Sequence, residues 1–151
     1  MIYKMKKLYR RLCNWILVKR FPFLQPQCGY GIDMRFWPKG YTYNYEETWL
    51  DGMSSAWRKD FGISLCKELK DEIHRSHLSD YKITQVKEKF GGLRWYDEGG
   101  NEATTKIIQK YEQRSRDICA FCGQPATKVT HRWVRYVCDK CYDKIEDERR
   151  K

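Results

Sequence analysis

Over residues 2–18, Met5, Leu8, Leu12 and Trp15/Ile16 recur at helical spacing with basic residues between them. That period predicts an amphipathic helix. "RFPFLQPQ" stops it, because Pro22 and Pro26 both oppose helix. From Cys28 to Tyr45 neither the helical nor the strand period holds. Gly29, Gly31, Pro38, Gly40 and several rings predict an extended, loop-like segment there. The helical period returns over Thr48 to Arg75, with a break expected near Asp60–Gly62 and Asp60 as an N-cap. Phe61, Leu65, Leu69 and Ile73 mark its apolar stripe. In "YKITQVKEKFGGLRWYDEGG" the β-branched and aromatic residues flank Gly91–Gly92. This predicts a hairpin with strands 82–88 and 93–97. Asn101 can cap a helix running to about Arg116, with Ile107, Ile108, Tyr111 and Ile118 on its buried side.

The last segment changes the picture. Cys119, Cys122, Cys138 and Cys141 form C-x2-C-x15-C-x2-C. Two close pairs can bring four sulfurs to one tetrahedral ion at about 2.3 Å. Gly123 allows the left-handed turn that a metal knuckle needs. Between the pairs "ATKVT" and "RWVRYV" are strand-like, joined tightly around His131, and "DKCYDKIEDERRK" reads as helix. Knuckle, hairpin and helix in that order resemble a treble-clef zinc finger, with a zinc ribbon as the neighbouring option. A single structural zinc is expected, since four thiolates leave no open position for water. His131 is expected in a loop or at the surface. Cys13, Cys28 and Cys66 are expected as buried, inert thiols, and His74 and His77 as non-ligands.

Charge adds a second theme. The net charge is +10, and Lys4, Lys6, Lys7, Arg10, Arg11, Lys19 and Arg20 supply +7 of it with no acid among the first twenty residues. Such an arm favours a polyanion: nucleic acid, an acidic protein face or an anionic membrane. The plain alternative is a helix docked on the core with its basic face in water. "WILV" is too short for a signal core, and no stretch is long enough to span a bilayer. The expected location is therefore a reducing cytoplasm, where paired cysteines hold metal more often than disulfides.

The hairpin offers Phe90, Trp95 and Tyr96 beside Lys87, Lys89 and Arg94 as a basic stacking surface for nucleic acid. The alternative is a tight hairpin whose rings pack on the helices. Its Gly pair lacks the residues of a phosphate loop. "KRFPFLQP", "YNYEETWLDGMSSAWRKDFG" and "ITQVKEKFGGLRWYDEG", followed by two CxxC pairs, resemble a family of small proteins of bacterial and bacteriophage genomes with no assigned activity. The resemblance implies a genomic setting and a phage accessory role, including interference with host defence, but no catalytic residue.

The expected fold is a small α+β domain: a basic amphipathic helix (1–20), a helix-plus-hairpin core (21–116) and a treble-clef or ribbon-like zinc module (117–151). The expected function is a non-enzymatic zinc protein binding nucleic acid or a nucleoprotein. Besides the arm and the hairpin lysines, Lys128, Arg132 and Arg135 would be its electrostatic contacts. A phage-encoded inhibitor docking on a host protein is the second reading. A zinc-stabilised hydrolase or nuclease using Glu46, Glu47 and Asp51 is the third. Peripheral membrane contact through the N-terminal helix ranks behind nucleic acid.

Overall fold

A computed structural model describes residues 2–26 and 42–150, and for residues 2 and 3 only the backbone. Most of the expected loop at 28–45 lies outside these residues, as do Cys28 and Trp37. Helix α1 (Ile2–Arg20) leads into a 3-10 turn, Pro22–Leu24. A second 3-10 turn, Trp49–Gly52, precedes α2 (Ser55–Trp57), which runs through a π-helical turn (Arg58–Gly62) into α3 (Ile63–Arg75). Strands β1 (Lys82–Lys89) and β2 (Gly92–Glu98) form an antiparallel hairpin, and α4 (Glu102–Asp117) follows. Strands β3 (Lys128–Val129) and β4 (Tyr136–Val137) form a second small antiparallel sheet, and α5 (Asp139–Arg149) closes the chain. The class is α+β, as the pattern predicts.

One hydrophobic cluster joins the elements from α1 to α4 and ends at Ile118. It includes Val18, Phe21, Trp49, Leu50, Trp57, Phe61, Leu65, Leu69, Ile83, Val86, Leu93, Trp95, Ile108, Tyr111 and Ile118. Trp49 and Trp57 are therefore core residues. Of the predicted stripe, Phe61, Leu65 and Leu69 are buried and Ile73 packs half-buried against the cluster, and Ile108 and Tyr111 present the inner side of α4 to it. Asn101 caps α4, its side-chain oxygen accepting from the Thr104 N–H at 2.9 Å. Such a cap stabilises a helix by about 1 kcal/mol.

Three local expectations are corrected. The helix does not break at Asp60–Gly62, because the wider π turn keeps the backbone helical while Trp57 and Phe61 both enter the core. Ser54 starts the helix instead, accepting from the Trp57 N–H at 3.2 Å, and Asp60 pairs with Arg114 Nε at 3.2 Å. The hairpin turns at Phe90–Gly91 and not at Gly91–Gly92. Lys89 pairs with Gly92, leaving a two-residue loop in which both residues have positive φ, +52° and +76°. That geometry matches the twist of the flanking strands. Gly92 joins the strand, where an added Cβ would lie 3.1 Å from Arg116 Nε. Finally, a register shift between Ile83 and Gln85 puts Ile83 and Val86 both on the core side, three positions apart. Strict alternation cannot do this, and a bulge can.

The core's polar margin predicts an acid response. Glu72 is buried and accepts from Ser76 Oγ at 2.6 Å and Asn101 Nδ2 at 3.1 Å, and these bonds, with Arg75 at 2.8 Å, hold its carboxyl below the usual range. Burial raises the Glu68 carboxyl, but Lys110 Nζ at 2.6 Å and Tyr111 Oη at 2.6 Å outweigh it and hold it low as well. A carboxylate with a depressed folded pKa contributes stability that is complete above its unfolded value of about 4.3 and is lost as pH falls through the folded value. The melting temperature should therefore hold from neutral to mildly acidic pH and fall steeply below about pH 4. Glu72→Gln should flatten that fall. An acid slope unchanged in the variant would refute the assignment.

Candidate metal centre and its aromatic rim

Cys119 follows Ile118, the last residue of the core cluster, and is itself fully buried. The chain then turns back on itself: the Gly123 N–H donates to Cys119 O at 3.0 Å, and the Cys119 N–H to Gln124 O at 2.6 Å. Gly123 has φ +78° and open space around its Cβ position, so conformation and not crowding makes glycine the fitting residue. The second pair begins α5. Cys138 is its N-cap position, Cys141 lies in its first turn, and the Tyr142 N–H donates to Cys138 O at 2.9 Å.

These two turns bring the four sulfurs within 4.8 Å of one another, with Cys122 and Cys138 Sγ 3.6 Å apart. Sulfurs at the corners of a tetrahedron around an ion at about 2.3 Å would be about 3.8 Å apart. The set thus fits one metal ion. All four are free thiols, as are Cys13 and Cys66. Cys66 is buried, and burial pushes its thiol up to about 12. Cys13 is half-buried rather than fully so. Electrostatics inside the quartet is uneven. Burial opposes ionisation of Cys119, yet backbone N–H groups at Cys122, Cys138 and Phe121 bring its thiol down to about 6. Burial and the neighbouring sulfurs push Cys141 up to about 12. A cation among the sulfurs relieves this mutual repulsion. His131 is exposed in the loop, and His74 and His77 are exposed on and after α3.

The module from residue 117 on buries little. Ile118, Cys119, Thr130 and Val137 are its buried residues, and α5 has none. It leans on the hairpin instead. The tip glycine, Gly91, sits against Val134–Tyr136, where a Cβ would lie 2.9 Å from Val134 O and 3.2 Å from Arg135 Cα. Arg135 Nε lies 3.8 Å from Glu88, and its guanidinium lies over the Phe121 ring at 5.1 Å. Around this contact stand exposed rings: Phe90, 70% exposed, Trp133, 68%, and Phe121, 47%. Lys89 reaches over Phe90. Phe121 and Trp133 escaped the sequence reading. The signal was there, since large rings in so small a segment have no core to enter.

The other expected contacts fall out differently. Trp95 is buried, so it is no stacking platform; its indole N–H donates to Tyr81 Oη at 3.3 Å. Arg94 is half-buried and donates to Leu93 O at 2.8 Å, with Glu112 at 3.8 Å. Lys87 lies over the Tyr96 ring. Lys128 is held by α5, 3.3 Å from Asp139 and 3.7 Å from Asp143, and over Tyr142. Arg132 is exposed.

Two of the acids suggested for hydrolysis, Asp51 and Glu46, are held in ion pairs. Asp51 accepts from the Thr48 N–H at 2.7 Å and pairs with Arg58 at 2.8 Å and Arg10 at 3.1 Å. Glu46 pairs with Lys7 at 2.6 Å, and Glu47 O accepts from Tyr43 Oη. Lys7, Arg10 and Arg11 are accordingly tied to the 44–51 segment, with Arg11 Nε donating to Asn44 O at 2.7 Å. Lys4, Lys6, Lys19 and Arg20 are exposed. Among the described residues no helix is long and apolar enough to cross a membrane. No protein-family model, no curated protein and no solved structure matches this chain.

Proposed function

We propose that this chain is a non-enzymatic zinc-binding accessory protein of a phage or bacterium. It binds single-stranded nucleic acid, free or within a nucleoprotein, at the corner where the hairpin tip meets the cysteine module. One structural zinc on Cys119, Cys122, Cys138 and Cys141 holds that corner in a treble-clef-like arrangement.

Phe90 is the observation that carries the reading. It occupies a positive-φ turn position that suits Asn or Gly, where another residue costs about 1 kcal/mol. Packing gives no return for that strain, since the ring is 70% exposed. A ring held in solvent on a strained turn, beside the exposed rings of Phe121 and Trp133 and the cations Lys89, Arg132 and Arg135, suits base stacking with phosphate contacts. Full thiolate coordination supports a structural role for zinc.

Fluorescence anisotropy with labelled oligonucleotides tests this. Affinity should fall linearly with salt on a log–log plot, the slope counting released counterions. Phe90→Ala and Trp133→Ala should each weaken binding by about 1–3 kcal/mol, the usual range for one lost base stack. Absence of binding at low salt, or both variants binding as the parent does, would sink the reading. Retention of one host protein at moderate salt, with no oligonucleotide bound, would establish the inhibitor instead.

A further inference from the structure

Helix α1 is docked the opposite way round from what its pattern suggests. A core-docked amphipathic helix turns its apolar stripe inward and leaves its basic face in water. Here Asn14 and Val18 are the buried residues of α1 among those whose side chains are described. The inward side is held by Lys7 on Glu46 at 2.6 Å, Arg10 on Asp51 at 3.1 Å, Arg11 on Asn44 O at 2.7 Å, and Asn14 Nδ2 donating to Tyr45 O at 3.0 Å. The stripe faces out. Met5 is 65% exposed, Leu8 69%, Tyr9 70%, Leu12 54%, Trp15 44% and Ile16 53%. At about 100° per residue these six span an arc of about 120°. Lys4 borders the arc on one side, Arg20 and Lys6 border it on the other, and Lys19 lies within it at the C-terminal end of the helix. Rolling the helix to hide the stripe would break all four inward contacts.

We propose that this outward face of α1 binds the surface of an anionic bilayer. Large aliphatic side chains mixed with Trp and Tyr, and flanked by lysines, make up a helix that lies in the headgroup–acyl boundary. Charge selects the occupant. Lys7 and Arg10 are paired inward, and Lys4, Lys6, Lys19 and Arg20 stay exposed on a helix that carries no acid, so a second copy would set like charges against each other. A nucleic-acid backbone would match the cations but leave six large apolar side chains without a partner. Anionic lipid satisfies both. The domain then rides on the polar side of a helix that lies on the membrane without crossing it. This inference does not depend on the nucleic-acid reading, which rests on a different corner of the molecule.

Sedimentation of the full chain with large vesicles tests it, using phosphatidylcholine alone and phosphatidylcholine mixed with phosphatidylglycerol. The protein should pellet with the anionic vesicles and stay in the supernatant with the neutral ones. The double variant L8E/L12E should lose binding by at least about tenfold, with its helix content and melting curve unchanged because both positions are exposed. Lys4→Gln and Lys6→Gln should each weaken binding by about fivefold. Failure to pellet with anionic vesicles overturns the proposal. So does binding that survives L8E/L12E, since charge alone then explains it. Light scattering that shows a dimer lost in L8E/L12E, without lipid binding, assigns the stripe to a second copy instead.

Discussion

With zinc bound as proposed, Cys141→Ser should leave the protein without stoichiometric metal, and residues 119–149 should lose their fixed structure while α3, the hairpin and α4 keep theirs. Little else holds that segment together. Its paired strands are two residues long, and α5 buries no side chain. A structural zinc supplies on the order of 10–16 kcal/mol at neutral pH, far more than so few buried groups can replace. Cys141 is a better test than Cys119, which is fully buried beside the core, so that its loss would confuse packing with coordination. Metal analysis of the purified variant gives the first readout. Amide resonances give the second: those of residues 119–149 should collapse to narrow dispersion, while those of 63–116 stay dispersed. A chelator should reproduce the effect on the parent, and added zinc should reverse it. A variant with one zinc per chain and an unchanged spectrum would remove the site, and with it the scaffold for the aromatic corner.

Gly52→Ala should destabilise the whole fold, by about 3 kcal/mol or more. A Cβ at this position would lie 2.1 Å from Val86 O and 2.8 Å from Val86 C. Those atoms belong to the backbone of β1, so no side chain can swing away to make room. Either the Trp49–Gly52 turn or the strand must move, and both carry core residues: Trp49 and Leu50 on one, Ile83 and Val86 on the other. The turn is further tied by Asp51, which caps Thr48 and pairs with Arg10 and Arg58. Denaturant unfolding should show a lower midpoint with little change in slope. Glycine at the nearby Gly62 is a useful contrast, because a Cβ there meets nothing closer than 3.6 Å. Gly62→Ala should therefore cost much less. Equal losses at the two positions would show that the close approach at Gly52 is not what matters.

Much of this molecule was legible in one dimension. The four-residue stripe from Phe61 to Ile73, the Asn101 cap and the alternation around Leu93 and Trp95 each report a local period, and a local period suffices to choose helix or strand. The cysteine spacing was legible for a similar reason. Each pair is a local turn, and two such turns need one closure to bring four sulfurs together. The hairpin turn was misplaced by one residue because the selecting contact is remote: Gly92 is wanted by Arg116 on α4, not by the turn.

A period says which side of an element is apolar; it does not say what will cover that side. That distinction separates the two halves of this protein. Spacing alone indicated the helices, the presence of the hairpin but not its turn, and the two cysteine knuckles, because hydrogen bonds and ligands close over a few residues. Only the assembled chain decided that α1 would turn its charged side inward, since Glu46, Asp51 and the carbonyls of Asn44 and Tyr45 lie some thirty to forty positions away. It likewise decided that Trp95 would enter the core while Phe90 stayed outside, and that the hairpin tip would rest on Val134–Tyr136. Competition among distant partners settles such choices, and no window along the sequence contains all the competitors.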